Sequence, residues 1–338
     1  MQRAGFFSHI YVERRALDYP ATADILKHFP KVEPIIIRHY KDVFNRKHQS
    51  FGCQKASPCL IVAKKEGQLV YPGAPVCQSF GHHYFYYTSC MMNCIYDCEY
   101  CYLQGMYPSG NVVLFVNLED IFAQVDALLR RHPVYLCISY DTDLLAFEKA
   151  AGLVRRWYMF ARERPELTIE VRTKSGAFHV LDDLTPLPNV IFAWTLSPQP
   201  VIERYEHQTA AASVRIKALR QAAAAGFPVR VCFDPLLYVP DFKSLYGALM
   251  RELFREPLDV MDASIGVFRI SVDYLKNMRR QRPESPLLWY PFVLEEHVYH
   301  YGQDMAKAMT GFVRDCLKNY IPEDKIFIWD GGESNEMS

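Results

Sequence analysis

Apolar and polar positions repeat with two different periods along the middle of the chain, and this pattern predicts the fold class. From His83 onwards, short apolar runs typical of buried strands alternate with longer segments of helical period. We predict strands at residues 83–88, 134–139, 167–172, 190–196, 228–233 and 264–270. We predict helices near residues 118–131, 144–163, 211–225 and 242–255. This alternation favours an α/β fold with a parallel sheet. A complete eight-unit barrel needs about 250 residues, so we expect a partial (β/α)6 TIM-like barrel over residues 81–270.

The segments on either side of the barrel are predicted to be additions to it. Residues 1–80 contain one short helical segment, at 21–29, and one strand-like apolar run, at 59–63. We interpret them as an N-terminal cap region. We interpret residues 271–338 as a C-terminal extension.

Composition narrows the class of protein. Half of the 338 residues are apolar and 22% are charged, which excludes a disordered or fibrous chain. Lys+Arg and Asp+Glu are equal at 38 each. A protein held to polyanions by its overall charge would be basic, so any contact with nucleic acid must come from a local patch. No apolar run approaches the ~20 residues of a membrane span, and no signal-peptide core follows Met1. We therefore expect a cytoplasmic protein that does not bind membranes.

A cluster of cysteines carries the clearest chemical signal. Cys94, Cys98 and Cys101 have the spacing C-x-x-x-C-x-x-C and follow the first predicted barrel strand. Three thiolates on one loop can each bind one iron of a [4Fe–4S] cluster and leave the fourth iron open. That iron can chelate S-adenosylmethionine, so that an electron from the cluster releases a 5′-deoxyadenosyl radical. This spacing therefore predicts a radical enzyme.

Other interpretations of the cysteines remain open. The same thiols could form a structural zinc site, although zinc sites normally take their second ligand pair from a distant loop. Cys90 also has the first spacing of the motif. It is then a structural thiol, an alternate ligand or a hydrogen donor. Cys137 and Cys232 lie in apolar runs, where a cysteine is usually a small core residue.

Several segments in matching order resemble the spore photoproduct lyase family of radical S-adenosylmethionine enzymes. The resemblance extends over nearly the whole chain and is carried by residues 10–20, 98–104, 115–124, 141–143, 171–174, 194–197, 225–228 and 234–235. It implies a barrel of the radical S-adenosylmethionine type. It also implies repair of the thymine dimer 5-thyminyl-5,6-dihydrothymine in the DNA of germinating spores. In that reaction the 5′-deoxyadenosyl radical removes a hydrogen atom from C6 of the lesion, and the thymine radical left after fragmentation needs a hydrogen atom back.

The resemblance also implies a cofactor site and partners. Lys174 and Thr195 match positions that contact S-adenosylmethionine, and Thr142 stands where the family often has a serine. Asp143 and Ser197, at the same predicted strand ends, complete the expected cofactor-binding set. The expected partners are damaged DNA and an electron donor such as flavodoxin or ferredoxin, and we expect a monomer.

One departure from the family pattern concerns the hydrogen donor. The family usually has a cysteine where this chain has Tyr140. Another thiol must then return the hydrogen atom, or the reaction differs. Cys77 is our first choice because it precedes the first barrel strand, while Cys90 and Cys137 remain alternatives. Tyr100 and Tyr102 match the family's tyrosines that relay the hydrogen atom.

The C-terminal extension contains the candidate DNA contacts. A basic run includes Lys276, Arg279 and Arg280, and it resembles the family's Arg-rich helix. His300 and Tyr301 fall where the family has an Arg-Tyr-Gly segment that inserts at the lesion. Arg269 could bind a phosphate at the barrel mouth. The ordinary alternatives are a solvated helix face for the basic run and an ion pair with a nearby carboxylate for Arg269.

Two rival functions remain. The first is a radical S-adenosylmethionine enzyme on the same scaffold with a different substrate. The second is a non-catalytic, zinc-stabilised protein that binds nucleic acid. The second would be colourless after anaerobic purification and would contain zinc in place of iron.

Overall fold

The computed structural model describes residues 6–74 and 77–329. In these ranges the strands are β1 (His9–Glu13), β2 (Pro34–Ile37), β3 (Cys59–Ala63), β4 (Val70–Pro72), β5 (Phe85–Thr88), β6 (Met91–Met92), β7 (Asp97–Cys98), β8 (Val112–Phe115), β9 (Val134–Cys137), β10 (Leu167–Thr173), β11 (Val190–Thr195), β12 (Glu206–His207), β13 (Val229–Leu236), β14 (Asp262–Val267), β15 (Arg269–Ser271), β16 (Val293–Glu295), β17 (Val298–His300) and β18 (Ile326–Ile328). The α-helices are α1 (Pro20–Lys27), α2 (Lys41–Phe44), α3 (Phe51–Ala56), α4 (Leu103–Met106), α5 (Leu118–Leu129), α6 (Leu144–Ala151), α7 (Leu153–Arg162), α8 (Gln199–Tyr205), α9 (Ala212–Ala224), α10 (Phe242–Leu253), α11 (Val272–Gln281) and α12 (Gln303–Leu317).

The predicted barrel strands form one parallel sheet. Strands β5, β9, β10, β11, β13 and β14 are neighbours in chain order, and all their pairings are parallel. The antiparallel strand β4 extends the sheet at β5, and the parallel strand β18 extends it at β14. The sheet stays open between β4 and β18. The partial (β/α)6 barrel is therefore confirmed, and each of its two edges gains a strand from outside the barrel segment.

Two predicted elements end earlier than the apolar pattern suggested. The helix predicted over 144–163 is two helices, α6 and α7, because Gly152 has a positive φ of 62°. The side chain of Glu148 accepts hydrogen bonds from the first backbone N–H groups of α7. The sixth barrel strand ends at Val267, and Arg269 begins β15 in a separate antiparallel sheet with β17 and β16.

A buried ion-pair network fills the lower barrel interior, which we call the barrel floor. Arg230 on β13 is fully buried and binds the carboxylates of Glu170 on β10 and Asp262 on β14. The Tyr135 hydroxyl bonds both Arg230 and Glu170. The ring of Phe80 covers the guanidinium at 3.2 Å. Phe80 also packs on Phe327 of β18 and on Tyr135 of β9, so the segment before β5 bridges the open side of the barrel.

The cap and the extension are both joined to the barrel. Strands β2, β1, β3, β8 and β6 form a second sheet, in which β8 follows the cysteine motif in the chain. Helix α11 of the extension packs on α4, directly after the motif. A Cβ atom at Gly105 of α4 would lie 2.5 Å from the Cβ of Tyr274, so only glycine permits this approach. Among the described residues, no helix has the length and apolar character needed to cross a membrane.

Candidate active site

The motif cysteines lie on a loop between β5 and α4, at the carboxyl end of the first barrel strand. The ammonium of Lys55 in the cap holds this loop by donating to the carbonyls of Cys94, at 2.6 Å, and Tyr96, at 2.9 Å. The backbone N–H of Tyr96 donates to the sulfur of Cys94 at 3.5 Å. Reactive groups of α/β barrels lie at this end of the strands. The loop therefore presents its thiols at the barrel mouth.

Burial dominates the electrostatics of these thiols. It raises the pKa of Cys94 to about 12 and also raises the pKa of Cys98 and of Cys101. Iron binding must therefore displace their protons. In the described part of the chain, no three His, Cys, Asp or Glu side chains are grouped closely enough to hold one metal ion. A [4Fe–4S] cluster does not require such convergence, because each thiolate binds a different iron. Three thiols on one loop, one of them already accepting an N–H, fit that cluster.

Cys90 belongs to the hydrophobic core. Its side chain is fully buried, and its sulfur accepts a hydrogen bond from the indole N–H of Trp157 at 3.1 Å. Burial raises the pKa of its thiol to about 11. These contacts support the structural interpretation of Cys90 over an alternate ligand or a hydrogen donor.

The loop of Cys94, Cys98 and Cys101, which we call the cluster loop, is held on its outer side by Arg282. The sequence analysis did not predict a role for this cation. Arg282 forms an ion pair with Asp97 and donates to the amide oxygen of Gln104 at 2.6 Å. The amide nitrogen of Gln104 donates to the carbonyl of Cys98 at 2.6 Å. The only sequence signal for this role was the position of Arg282 at the end of the basic run.

Tyr100 lies inside a second polar network. Its hydroxyl donates to Glu206, which also accepts from the Ser197 hydroxyl at 2.8 Å and from Arg215 at 2.5 Å. The ammonium of Lys174 lies 5.2 Å from the Tyr100 ring centroid. Tyr100, a predicted relay residue, and Ser197, a predicted cofactor residue, thus both donate to the Glu206 carboxylate. The sequence analysis did not predict a role for Glu206.

The other predicted cofactor residues lie at neighbouring strand ends. Asp143 caps α6 by accepting from the Ala146 N–H at 3.0 Å. It also accepts from the Thr173 hydroxyl at 2.8 Å and from the Lys174 N–H at 2.7 Å, so it positions β10 against β9. Thr142 and Thr195 are buried. Their contacts with a cofactor stay a prediction.

The predicted hydrogen donor lies against the residue that replaces the usual cysteine. The Cys77 thiol donates to the Tyr140 hydroxyl, with a sulfur–oxygen distance of 3.8 Å. The Tyr102 hydroxyl donates to the Tyr140 carbonyl at 2.6 Å. Burial raises the pKa of the Cys77 thiol, so it is protonated at neutral pH. The alternative thiol, Cys137, is buried in register with Glu170. Tyr140 therefore connects the cluster loop to Cys77.

The cations of the basic run differ in whether they face solvent or bind other groups of the protein. Lys276 and Arg280 are exposed on α11. Arg279 donates to the Leu288 carbonyl at 2.8 Å and covers the Trp289 ring at 4.9 Å. The structure thus leaves two of the three predicted cations on the surface and binds the third to the protein.

Two further DNA candidates already have protein partners. Arg269 pairs with Asp234 at 2.9 Å, which is the ordinary alternative stated above. His300 lies 3.1 Å from the Glu295 carboxylate. These contacts do not test whether either side chain binds DNA.

Tyr301, the other residue of the predicted lesion segment, is buried in the extension, and its insertion at a lesion stays a prediction. Tyr301 is only 5% exposed and packs among Tyr290, Phe292 and Tyr238. Its aromatic ring belongs to the core beneath the β16–β17 hairpin, because packing there removes the apolar surface of the ring from water. The exposed apolar side chains of this region are instead Trp289, Val293 and Leu294.

Comparisons with known proteins agree with the architecture. Residues 78–281 match the model of the family described as "Spore photoproduct lyase". A spore photoproduct lyase of Geobacillus sp. (strain Y412MC61) is 24% identical over an alignment of 250 residues that covers 69% of this chain and 73% of the relative. That of Bacillus subtilis (strain 168) is 22% identical over 338 residues, covering 92% of this chain and 94% of the relative.

Solved structures share the fold. A spore photoproduct lyase complexed with dinucleoside spore photoproduct is similar with a TM-score of 0.81 and 18% identity, over 95% of this chain and 98% of that one. A mutant with bound AdoMet and dinucleoside spore photoproduct is similar with a TM-score of 0.78 and 18% identity, over the same shares of the two chains. The partial barrel, the cap and the extension therefore have counterparts in solved structures.

Proposed function

Because this chain belongs to the spore photoproduct lyase family, we propose that it is a radical S-adenosylmethionine lyase that reverts 5-thyminyl-5,6-dihydrothymine in DNA to two thymines. One observation carries the proposal: Tyr140 contacts both the cluster loop, through Tyr102, and a candidate donor thiol, Cys77. A radical reaction that ends with hydrogen return needs the cluster and a thiol at the same barrel mouth.

Cys94, Cys98 and Cys101 would hold the [4Fe–4S] cluster. When bound, the cluster and S-adenosylmethionine supply the carbon radical that removes a hydrogen atom from the lesion. Lys174 suits the cofactor carboxylate, because its ammonium lies over the Tyr100 ring beside the motif cysteines and the negative charge of Glu206 favours its charged form. Thr142 and Thr195 would contact the cofactor at the adjoining strand ends, and Asp143 would hold those strands in place.

Cys77 would return the hydrogen atom to the thymine radical. Its thiol remains protonated because burial disfavours the thiolate, so a hydrogen atom is available on sulfur. Tyr100 and Tyr102 would relay hydrogen on the cluster side. This arrangement replaces the family's usual cysteine with a thiol that reaches the mouth from the segment before β5.

DNA would meet the mouth on the side of the extension. Lys276 and Arg280 are exposed on α11 and would neutralise phosphates. Arg279, Arg269 and His300 would contribute only by exchanging their present protein partners for phosphate. Damaged DNA, an electron donor such as flavodoxin or ferredoxin, a cytoplasmic location, a role in spore germination and a monomeric state are part of the proposal.

The test is an anaerobic reaction of the iron-reconstituted protein with the dinucleotide spore photoproduct, S-adenosylmethionine and dithionite. We expect thymine from the wild type and none from Cys98→Ala. We expect Cys77→Ala to give products of unquenched thymine radicals. Cleavage of S-adenosylmethionine without thymine would indicate a radical enzyme for another substrate. A colourless protein that contains zinc would refute radical chemistry.

A further inference from the structure

Tyr140 lies in contact with the Cys77 thiol, at the position where the family usually has a cysteine. Its hydroxyl oxygen is 3.8 Å from the Cys77 sulfur. Its ring stacks on Tyr87 with centroids 4.0 Å apart and an interplanar angle of 25°. Its carbonyl accepts from the Tyr102 hydroxyl, and the Tyr102 and Tyr140 rings are 5.9 Å apart. Tyr140 is therefore held on three sides, with its phenol aimed at the thiol.

Resting on the function proposed above, we infer that Tyr140 is a catalytic residue that restores Cys77 after each hydrogen transfer. First the S–H bond of Cys77 breaks and a C–H bond forms on the thymine radical, which leaves the unpaired electron on sulfur. Then the O–H bond of Tyr140 breaks and the S–H bond of Cys77 forms again. The unpaired electron is now on the phenoxyl oxygen of Tyr140.

The same contact explains why this transfer needs no outside proton or electron. A hydrogen atom carries both, and the S–H bond of a thiol and the O–H bond of a phenol are of similar strength. The two atoms already share a hydrogen bond, so the transfer needs only reorientation of the phenol proton towards sulfur.

Tyr102 is the next hydrogen source. A hydrogen atom moves from its phenol to the phenoxyl of Tyr140, whose ring centroid is 5.9 Å from that of Tyr102, and the unpaired electron passes to Tyr102. The hydrogen of Tyr102 is then replaced from the C5′–H bond of the 5′-deoxyadenosine formed in the proposed reaction, which leaves the unpaired electron on C5′ of the 5′-deoxyadenosyl radical. Tyr140 thus inserts one step between Cys77 and the tyrosines of the cluster loop. Tyr87 supports the Tyr140 ring by stacking, whereas the hydrogen bond of the Cys77 thiol goes to Tyr140.

The first test starts the transfer without any lesion or cofactor. Cysteines of the cluster-free protein are S-nitrosated, and illumination at low temperature breaks the S–N bond and leaves a thiyl radical. We expect the electron paramagnetic resonance signal of a tyrosyl radical, narrowed when the protein contains ring-deuterated tyrosine. The signal should be lost in Tyr140→Phe and in Cys77→Ala and kept in the matched control Tyr87→Phe. An unchanged signal in Tyr140→Phe, or none in the wild type, would overturn the inference.

The second test measures 5′-deoxyadenosine formed per thymine in the repair reaction. Tyr140→Phe keeps the stacked ring and removes the hydroxyl, so Cys77 is not restored and the ratio should rise severalfold. Tyr87→Phe should leave the ratio unchanged. An unchanged ratio in Tyr140→Phe would also overturn the inference. A wild type that makes no thymine defeats the proposed function, while the spectroscopic test still decides the role of Tyr140.

Discussion

The floor and the mouth of the barrel differ in whether every buried polar group has a partner within the protein. On the floor, Arg230 is fully buried between two carboxylates, and a tyrosine hydroxyl completes its hydrogen bonds. At the mouth, Asp141 is buried with one carboxylate oxygen bonded to Ser89 and Tyr107. The other oxygen has no hydrogen-bond partner in the described structure. Lys174 likewise has its ammonium over an aromatic ring rather than against a carboxylate.

This difference separates stability from chemistry. Buried ion pairs within the protein hold the strands together, and removing one member of a pair leaves the other charge buried without a counter-charge. Polar groups that are not matched cost folding free energy and are available to a ligand. Floor variants should therefore lose stability, whereas mouth variants should lose binding or catalysis.

The largest effect is expected from a cluster ligand. Cys101→Ala removes a thiolate for which the loop has no substitute, so bound iron and S-adenosylmethionine cleavage should fall to background. The free energy of unfolding of the cluster-free protein should change by less than about 1 kcal/mol. Iron analysis and urea denaturation measure the two quantities. The exposed Cys53→Ala is the control and should retain its iron. Full iron in Cys101→Ala would contradict the assigned ligand set.

Arg230→Met should cause the largest loss of stability. It leaves Asp262 buried without its cation and Glu170 with Arg172 alone, and we expect a loss of roughly 3–5 kcal/mol in the free energy of unfolding. Urea denaturation of the cluster-free protein measures it. Arg255→Met, at an exposed arginine, should change stability by less than about 0.5 kcal/mol. A denaturation midpoint equal to that of the control would show that the floor network does not stabilise the barrel.

Lys174→Met should give the opposite result at the mouth. The loss of a charge-assisted bond should weaken S-adenosylmethionine binding by about 1.5–3 kcal/mol, or roughly 10–100-fold. Stability should fall less than in Arg230→Met, because Glu206, which interacts with Lys174 through space, keeps its ion pair with Arg215. Calorimetric titration of the iron-loaded protein measures the affinity, with the exposed Lys217→Met as the control. Equal affinity in both variants would remove Lys174 from the cofactor site.

Asp141→Asn should have the smallest effect, and it should depend on pH. Burial raises the pKa of Asp141 above its ordinary value of 3.8, against the opposing bonds from Ser89 and Tyr107. The carboxyl therefore favours folding fully below that ordinary pKa, and this contribution is lost as pH rises through the higher pKa of the folded protein. Relative to the wild type, Asp141→Asn should gain stability as pH rises above about 4, until the pH passes the raised pKa of the folded protein.

Urea denaturation at a series of pH values measures this gain. The exposed Asp259→Asn should show no such trend. A relative stability of Asp141→Asn that falls with rising pH would mean that the carboxylate is stabilised in the folded state.

The sequence was sufficient for features that depend on neighbouring residues. The strands of the barrel and the loop of Cys94, Cys98 and Cys101 follow from local periodicity and spacing. The break between α6 and α7 was missed, because the apolar pattern continues across Gly152 and predicts one helix over 144–163. Tyr301 shows the limit of this approach, since a position matched by motif was buried by packing from elsewhere in the extension.

Only the tertiary structure decided which distant side chains meet. Cys77 and Tyr140 are 63 residues apart in the chain, and Arg282 and Asp97 are 185 apart. No periodic pattern encodes such contacts, because they arise when the cap, the barrel and the extension pack together. By itself the sequence determined the partial barrel, the cluster motif and a missing family cysteine. The tertiary structure then determined that the Cys77 thiol lies beside Tyr140, the residue at the position of the missing cysteine, because long-range packing fixes the distance between these two side chains.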